Sequence, residues 1–206
     1  MGELEKRLGG LLADRTPGLM GMKHRFAVLV PLVKKGEEYF LLYEVRASSL
    51  RRQPNEVCFP GGHMEPGEGP VDCALRETEE ELGLSRKQIT LLGELDLLVH
   101  RGSTVLYPVL GLVEFEALAE LEINPDEVEE IFLVPLRHLL TTEPEIYYYP
   151  LVPQPGSDFP YEKLGIDRDY NWMPGHESGP IWPWENKTIW GLTGKITRQL
   201  LELIKE

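Results

Sequence analysis

The stretch "EVCFPGGHMEPGEGPVDCALRETEEELGL", Glu56 to Leu84, places prolines and glycines directly before a run of glutamates. Pro70 suits the first position of a helix, and Asp72 favours the positive end of the helix dipole. Gly83 suits the residue that ends a helix. The stretch therefore predicts a glycine-rich loop followed by a helix from about Pro70 to Leu82.

The predicted helix has an apolar face and a separate acidic face. At 100° per residue, one arc carries the side chains that would face a core, namely Val71, Ala74, Leu75, Thr78 and Leu82. Glu77, Glu80 and Glu81 fall at i, i+3 and i+4 on another arc, so we expect their carboxylates to converge. Like charges at this spacing destabilise a helix by about 0.2–0.5 kcal/mol per pair. A divalent cation, Mg²⁺ or Mn²⁺, would offset the repulsion, and the oxygens of a phosphorylated substrate would complete its shell.

The alternative interpretation is a solvated, glutamate-rich surface on which Arg76 pairs with a neighbouring acid. The loop argues against it. "FPGGHMEPGE" contains several glycines, including Gly61 and Gly62, which permit unusual backbone angles and a close approach of the chain to a ligand or metal. We therefore interpret the loop and the helix as one site.

The spacing of this site resembles the signature of Nudix hydrolases. Gly62, Glu68 and the segment "RETEEELGL" from Arg76 to Leu84 fall at the positions of that signature, with Thr78 where it has an aliphatic residue. The resemblance implies an α+β fold, an α/β/α sandwich with a mixed sheet between helices and a catalytic loop-helix-loop. It also implies hydrolysis of a nucleoside diphosphate linked to another group.

The same resemblance implies roles for individual residues. The implied ligands of the divalent ions are the carbonyl of Gly62 and the carboxylates of Glu68, Glu77, Glu80 and Glu81. Arg76 would orient a glutamate through a salt bridge. Bound metal lowers the pKa of the attacking water, and a carboxylate accepts its proton. That carboxylate would be Glu77 or an acid of "NPDEVEEIFLVPL", where Glu127 is the candidate and an ordinary loop charge is the alternative.

The segment just upstream bears on the substrate. "LLYEVRASSLRRQPNEVCFPGG", Leu41 to Gly62, resembles the extended motif of coenzyme A pyrophosphatases, with Asn55 where that motif has glycine. Coenzyme A carries a 3′-phosphate besides its diphosphate, and Arg46 and Arg51 are suitable forks for phosphate. Leu50 would pack on the adenine or the pantetheine arm; alternatively it lies in the core and the arginines pair with surface acids.

These motifs predict cleavage of coenzyme A, or of its derivatives, to 3′,5′-adenosine bisphosphate and 4′-phosphopantetheine. Two alternatives stay open at this point. One is an ADP-ribose or nucleotide-sugar pyrophosphatase, and the other is a Nudix module that senses a nucleotide without cleaving it. The sensing module is disfavoured because Glu77, Glu80 and Glu81 are all present.

Composition excludes several other classes of protein. A net charge of −13 argues against nucleic-acid binding, and no apolar run approaches the roughly 18 residues of a membrane helix. The N-terminal residues lack a signal-peptide pattern, so we expect a cytoplasmic protein. We interpret the two cysteines, Cys58 and Cys73, as reduced core residues. The resemblance alone suggests a homodimer.

The whole chain, residues 1–206, is predicted to form a single domain. "RFAVLVPLV" and "EEYFLLYEV" predict a hairpin, three later runs predict further strands, and "RHLL" predicts a short helix. A segment at about 142–187, rich in Pro, Gly and Trp, predicts an irregular but ordered insertion. "TIWGLTGKITRQLLELIKE" predicts a closing helix, with an apolar stripe of Ile189, Leu192, Ile196, Leu200 and Ile204.

Overall fold

The β-branched and aromatic runs form a mixed sheet at the centre of the computed structural model, which describes residues 2–206. The strands are β1 (His24–Lys35), β2 (Glu38–Arg46), β3 (Val57–Cys58), β4 (Gly61–His63), β5 (Ile89–Glu94), β6 (Leu98–His100), β7 (Thr104–Glu114) and β8 (Val128–Pro135). The main path of the sheet runs β3-β2-β1-β7-β5, with β4 beside β1, β6 beside β7 and β8 beside β2. β1 and β7 are parallel, whereas β1 and β2 form the predicted antiparallel hairpin.

Helices cover both faces of this sheet, which confirms the predicted sandwich. On one face, α2 (Pro70–Leu82) packs Leu75 and Leu82 against Leu29 and Leu42. On the other, α5 (Gly191–Lys205) packs Ile196 and Leu200 against a cluster that includes Tyr43 and Trp182. The remaining helices are α1 (Glu3–Leu12), α3 (Leu136–Thr141), α4 (Tyr161–Leu164) and two 3₁₀ turns, Arg86–Gln88 and Phe115–Glu120.

The helix that decides the fold has the predicted bounds and the predicted core face. Ala74, Leu75, Thr78 and Leu82 are buried, and Val71 packs half-buried against the same cluster. The Thr78 hydroxyl donates a hydrogen bond to the Ala74 carbonyl at 2.7 Å, so its polar atom is satisfied inside the core. Gly83 ends the helix in the left-handed region, with φ at 70°.

The 142–187 segment is less irregular than predicted. β9 (Glu145–Leu151) and β10 (Gly175–Trp184) pair antiparallel, and β11 (Lys187–Ile189) adds a third strand to this small sheet. β9 is mostly exposed on both faces, so its sequence lacks the alternation that marks a strand. Trp182 is buried, and its indole N–H donates to the Thr142 carbonyl at 3.1 Å, so packing explains this tryptophan.

Two details of the closing helix were predicted wrongly. The helix begins at Gly191, and Ile189 belongs to β11. Ile204 is 45% exposed because the buried face turns to Thr197, Leu200 and Leu201. Both cysteines are free, as predicted. None of the helices within residues 2–206 is long and apolar enough to cross a membrane.

Candidate functional site

The site begins at two glycines of β4, where side chains cannot be accommodated. Gly61 has φ at 151°, and a Cβ there would lie 2.5 Å from the Val28 Cα and overlap the Ala27 carbonyl oxygen. A Cβ on Gly62 would overlap the carboxylate of Glu77. The two glycines therefore let β4 lie against β1 while the Glu77 side chain of α2 approaches the backbone.

Arg76 ties the loop to the helix through its guanidinium group. Nε and Nη2 donate to the two carboxylate oxygens of Glu68 at 2.9 and 3.1 Å. Nη1 donates to Glu77 at 2.8 Å and to Glu80 at 3.2 Å. Nη2 also reaches the His63 carbonyl at 3.3 Å. Arg76 thus orients three of the predicted acids at once.

Glu68 is an ionised carboxylate held by donors. The hydrogen bonds from Arg76, followed by that from the Glu65 amide, lower the pKa of Glu68 to about 2. Both oxygens of Glu68 accept hydrogen bonds from Arg76, so the role that the structure supports for Glu68 is to hold Arg76 in place. Its predicted role as a metal ligand stays a prediction.

Glu81 points away from Arg76 into the interior. It is 4% exposed, and one carboxylate oxygen accepts a hydrogen bond from the Gly61 amide at 2.8 Å. Burial, and next the charge of Glu44, raises the pKa of Glu81 to about 9. Burial also raises the pKa of Glu77, against the opposing effect of Arg76.

The helical wheel predicted that the carboxylates of Glu77, Glu80 and Glu81 converge. The structure does not bring the three to one point. Successive residues lie 100° apart on a helix, so Glu80 stays at the surface when Glu81 turns inward. As the side chains are placed, no group of three His, Cys, Asp or Glu within residues 2–206 could hold a metal ion. The donor chemistry nevertheless fits a hard divalent cation, because buried carboxylates with raised pKa values are stabilised by a positive charge.

Glu127 lies at the rim of the acidic site. Its carbonyl accepts a hydrogen bond from the Ala47 amide at 2.9 Å, which fixes the loop that enters β8 beside the end of β2. Its exposed carboxylate is close enough for its charge to raise the pKa values of Glu44, Glu77 and Glu81. Sequence reasoning therefore selected an acid that the fold places beside the helix.

The predicted substrate residues lie on β2 and on the loop that follows it. Asn55 in this loop has φ at 62°, which confirms the left-handed angle expected at the motif's glycine position. Leu50 is half-buried and Arg51 is exposed. Within residues 2–206, neither Arg46 nor Arg51 forms a salt bridge, and the half-buried Arg46 guanidinium has a buried Nε without a hydrogen-bond partner.

Sequence reasoning missed Glu44, which is fully buried beside the site. The Cys58 thiol donates to one of its carboxylate oxygens at 3.1 Å. Burial raises the pKa of Glu44 to about 7. The available signal was a lone acid inside the apolar run "YFLLYEV", since an unpaired acid is rarely placed in a buried strand.

Comparison with known proteins agrees with this geometry. A family model described as NUDIX domain matches residues 23–154. The chain is 39% identical over 137 residues to the peroxisomal coenzyme A diphosphatase NUDT7 of Mus musculus, covering 66% of this chain and 56% of that protein. It is 36% identical over 204 residues to the mitochondrial coenzyme A diphosphatase NUDT8 of Mus musculus, covering 98% and 88%.

A solved structure gives the fold alone. A MutT/nudix family protein from Enterococcus faecalis aligns with a TM-score of 0.52 at 16% identity, covering 100% of this chain and 71% of that one.

Proposed function

Because the chain belongs to the Nudix family, we propose that it hydrolyses the diphosphate linkage of coenzyme A or its derivatives, with Mg²⁺ or Mn²⁺ as cofactor. The products would be 3′,5′-adenosine bisphosphate and 4′-phosphopantetheine. The observation that carries the proposal is an acidic loop and helix with Arg46 near the buried Glu44 and Arg51 on the loop that follows β2; neither arginine has a salt bridge within residues 2–206. The two relatives named as coenzyme A diphosphatases support this choice of substrate.

The acids of α2 and its loop are proposed to hold the metal. Nudix hydrolases generally require divalent metal ions. The proposed ligands are the Gly62 carbonyl and the carboxylates of Glu68, Glu77, Glu80 and Glu81. When bound, the metal neutralises the oxygens of the diphosphate and lowers the pKa of the attacking water. Arg76 fixes the orientation of Glu77 and Glu80 through its hydrogen bonds, so the carboxylates are positioned before the substrate enters.

A carboxylate at the rim is proposed to accept the proton of the attacking water. Glu127 is exposed and lies beside the acids of α2, so it can exchange that proton with solvent. Glu77 is the second candidate, because its raised pKa favours proton uptake. Replacing each by glutamine, and measuring the acidic limb of the pH-rate profile, distinguishes the two.

The two arginines are proposed to bind the phosphates of the substrate. A guanidinium offers a planar fork that matches phosphate, and the buried Nε of Arg46 has no partner within residues 2–206. Arg51 and Leu50 follow on the same loop, where the leucine offers an apolar surface for the adenine or pantetheine arm. The substrate is thus a small nucleotide, in keeping with a net charge of −13 that disfavours nucleic acid.

The compartment is an expectation from the sequence, and the oligomeric state is one from the family resemblance. We expect a cytoplasmic protein, whereas the two relatives are named peroxisomal and mitochondrial. A homodimer is likewise an expectation, and light scattering of the purified chain tests it.

The test is product analysis after incubation with metal and, separately, coenzyme A, dephospho-coenzyme A and ADP-ribose. We expect coenzyme A to be cleaved to 4′-phosphopantetheine, and dephospho-coenzyme A to be a poorer substrate because it lacks the 3′-phosphate. Glu80→Gln should abolish turnover with the fold intact, while Glu79→Gln, on the exposed side of the same helix, should not. Preferred cleavage of ADP-ribose would refute coenzyme A as the substrate and favour an ADP-ribose pyrophosphatase. Binding without cleavage would favour a nucleotide-sensing module.

A further inference from the structure

Glu44 lies in the middle of β2 with its side chain on the α2 face of the sheet. Side chains alternate between the faces of a strand, and Leu42, two residues earlier, packs in the cluster beneath α2. Tyr43 packs in the opposite cluster, beneath α5. Glu44 therefore shares the face on which Glu81 turns inward from α2.

Only one of the two oxygens of the Glu44 carboxylate has a hydrogen-bond partner within residues 2–206. The side chain is 0% exposed, and one oxygen accepts a hydrogen bond from the Cys58 thiol at 3.1 Å. The other oxygen, Oε2, is buried and has no hydrogen-bond partner within residues 2–206. A buried acceptor left in this state is costly, so its environment calls for a cation or a donor.

Glu81 is a neighbour of the same sign. Cys58, which pairs with Glu44 between β2 and β3, lies three residues before Gly61, and the Gly61 amide donates to Glu81. Three groups can stabilise the two carboxylates. They are the Cys58 thiol, the backbone amide at 2.8 Å from Glu81, and the positive charge of Arg46. Thiols are weak donors, so this set would not compensate the two carboxylates if both were ionised, and a divalent cation would do so.

We propose that Glu44 is a further ligand of a divalent cation, held jointly with Glu81, so that the metal site extends from α2 onto strand β2. The inference rests on the metal dependence proposed above and adds a residue from outside the loop and helix. Two carboxylates suffice for such an ion, because Mg²⁺ commonly takes one or two carboxylates and completes its shell with water and substrate oxygens. A hard cation would take the oxygens of Glu44 in preference to the Cys58 sulfur.

Mn²⁺ binding to the full chain without nucleotide tests this assignment directly. Free Mn²⁺ is measured by electron paramagnetic resonance during titration of the wild type, Glu44→Gln and the control Glu79→Gln. We expect Glu44→Gln to weaken Mn²⁺ binding by about 10-fold or more, the range typical for lost support of a metal site. Glu79→Gln should bind as the wild type does, because its side chain lies on the exposed face of α2.

A second measurement guards against misfolding of the variant. Thermal unfolding with and without Mn²⁺ should show Glu44→Gln folded, with a smaller metal-induced rise in Tm than the wild type. If Glu44→Gln does not fold, Glu44→Asp retains the charge on a shorter side chain and should fold with weakened Mn²⁺ binding. Wild-type Mn²⁺ affinity in the folded variant would overturn the inference and leave Arg46 as the counter-ion of Glu44.

The failures of the two proposals are distinguishable. A wild-type protein that binds Mn²⁺ through Glu44 but does not cleave coenzyme A would refute the substrate and keep the ligand. A protein that cleaves coenzyme A, while Glu44→Gln binds Mn²⁺ normally, would refute only the ligand. Absence of Mn²⁺ binding by the wild type would refute the ligand assignment, and the cleavage assay would then decide the substrate proposal by itself.

Discussion

Raising the pH of the metal-free protein is expected to destabilise its fold, through the buried acids Glu44 and Glu81. Their pKa values are raised from 4.5 to about 7 and about 9, so the folded state binds these protons more tightly than the unfolded chain. Such a group contributes its full stabilisation below the unfolded pKa and loses it as the pH rises through the folded pKa. The window therefore runs from about pH 4.5 to about pH 9.

The size of the effect follows from the shift at Glu44, which is fully buried. One pKa unit corresponds to about 1.4 kcal/mol, so a rise from 4.5 to about 7 corresponds to about 3 kcal/mol. For a chain of this length, each kcal/mol changes Tm by about 2–4 °C. We expect the metal-free Tm to fall by roughly 6–12 °C between about pH 4.5 and about pH 7, where Glu44 loses its proton, and to fall further toward about pH 9 on account of Glu81.

Calorimetry in the presence of a chelator, at several pH values across the window, measures the slope of Tm against pH. Glu44→Gln should flatten it because the glutamine carries no titrating charge, and Glu79→Gln should keep the wild-type slope. The other charges facing the pair are those of Cys58, Arg46, Glu77 and Glu127. An unchanged slope in Glu44→Gln, or stability that rises with pH across the window, would refute the reasoning.

Three further predictions address the loop, the helix and the core. Arg76→Lys should lower kcat by about 10–100-fold with the Tm nearly unchanged, because lysine cannot bridge several acids, and steady-state kinetics checks this; wild-type kcat would contradict it. Gly61→Ala should cost at least about 1–3 kcal/mol in urea unfolding, since its φ of 151° and the nearby Val28 backbone exclude a Cβ. Leu82→Ala should cost about 2–5 kcal/mol in the same assay, because Leu82 is fully buried, whereas the exposed Leu91→Ala should cost far less.

The helix of the site could be predicted to the residue because every local signal agrees. Pro70 and Gly83 mark its ends, and the apolar spacing between them matches one face of a helix. The first long hairpin was predictable for the same reason, since β1 and β2 are apolar runs separated by a turn. In both cases the information lies within about a dozen neighbouring residues.

The small second sheet could not be predicted because its stability does not come from an amphipathic pattern. β9 is stabilised by backbone pairing with β10 and exposes Tyr147, Tyr148 and Tyr149 to solvent. Without an alternating buried face, periodicity gives no signal. The small sheet is fixed to the central core at Trp182 of β10, which joins the cluster beneath α5.

The sequence could indicate candidate residues of the site but not how their side chains are arranged. The resemblance implied that Arg76 orients a glutamate through a salt bridge, and the structure pairs Arg76 with Glu68, Glu77 and Glu80. Spacing places Glu81 beside Ala74 and Thr78 on the core face, but it could not show its hydrogen-bond partner, the Gly61 amide, twenty residues earlier in the chain. Glu44 lay outside the loop-and-helix signature, and its approach to α2 requires the sheet to form first.

Strand β2 connects the acidic and cationic halves of the site. Glu44 and Arg46 are two residues apart, so an ideal strand would place them on one face at a separation of about 7 Å. The β2–β8 register shifts between Val45 and Arg46, however, and such a bulge re-aims the residue that follows it. The interior acid thus stays beside α2 while the arginine leads into the loop of Leu50 and Arg51. A divalent cation held by Glu44 would then lie on the same strand as Arg46, so that metal and guanidinium together would offset the negative charge of a diphosphate.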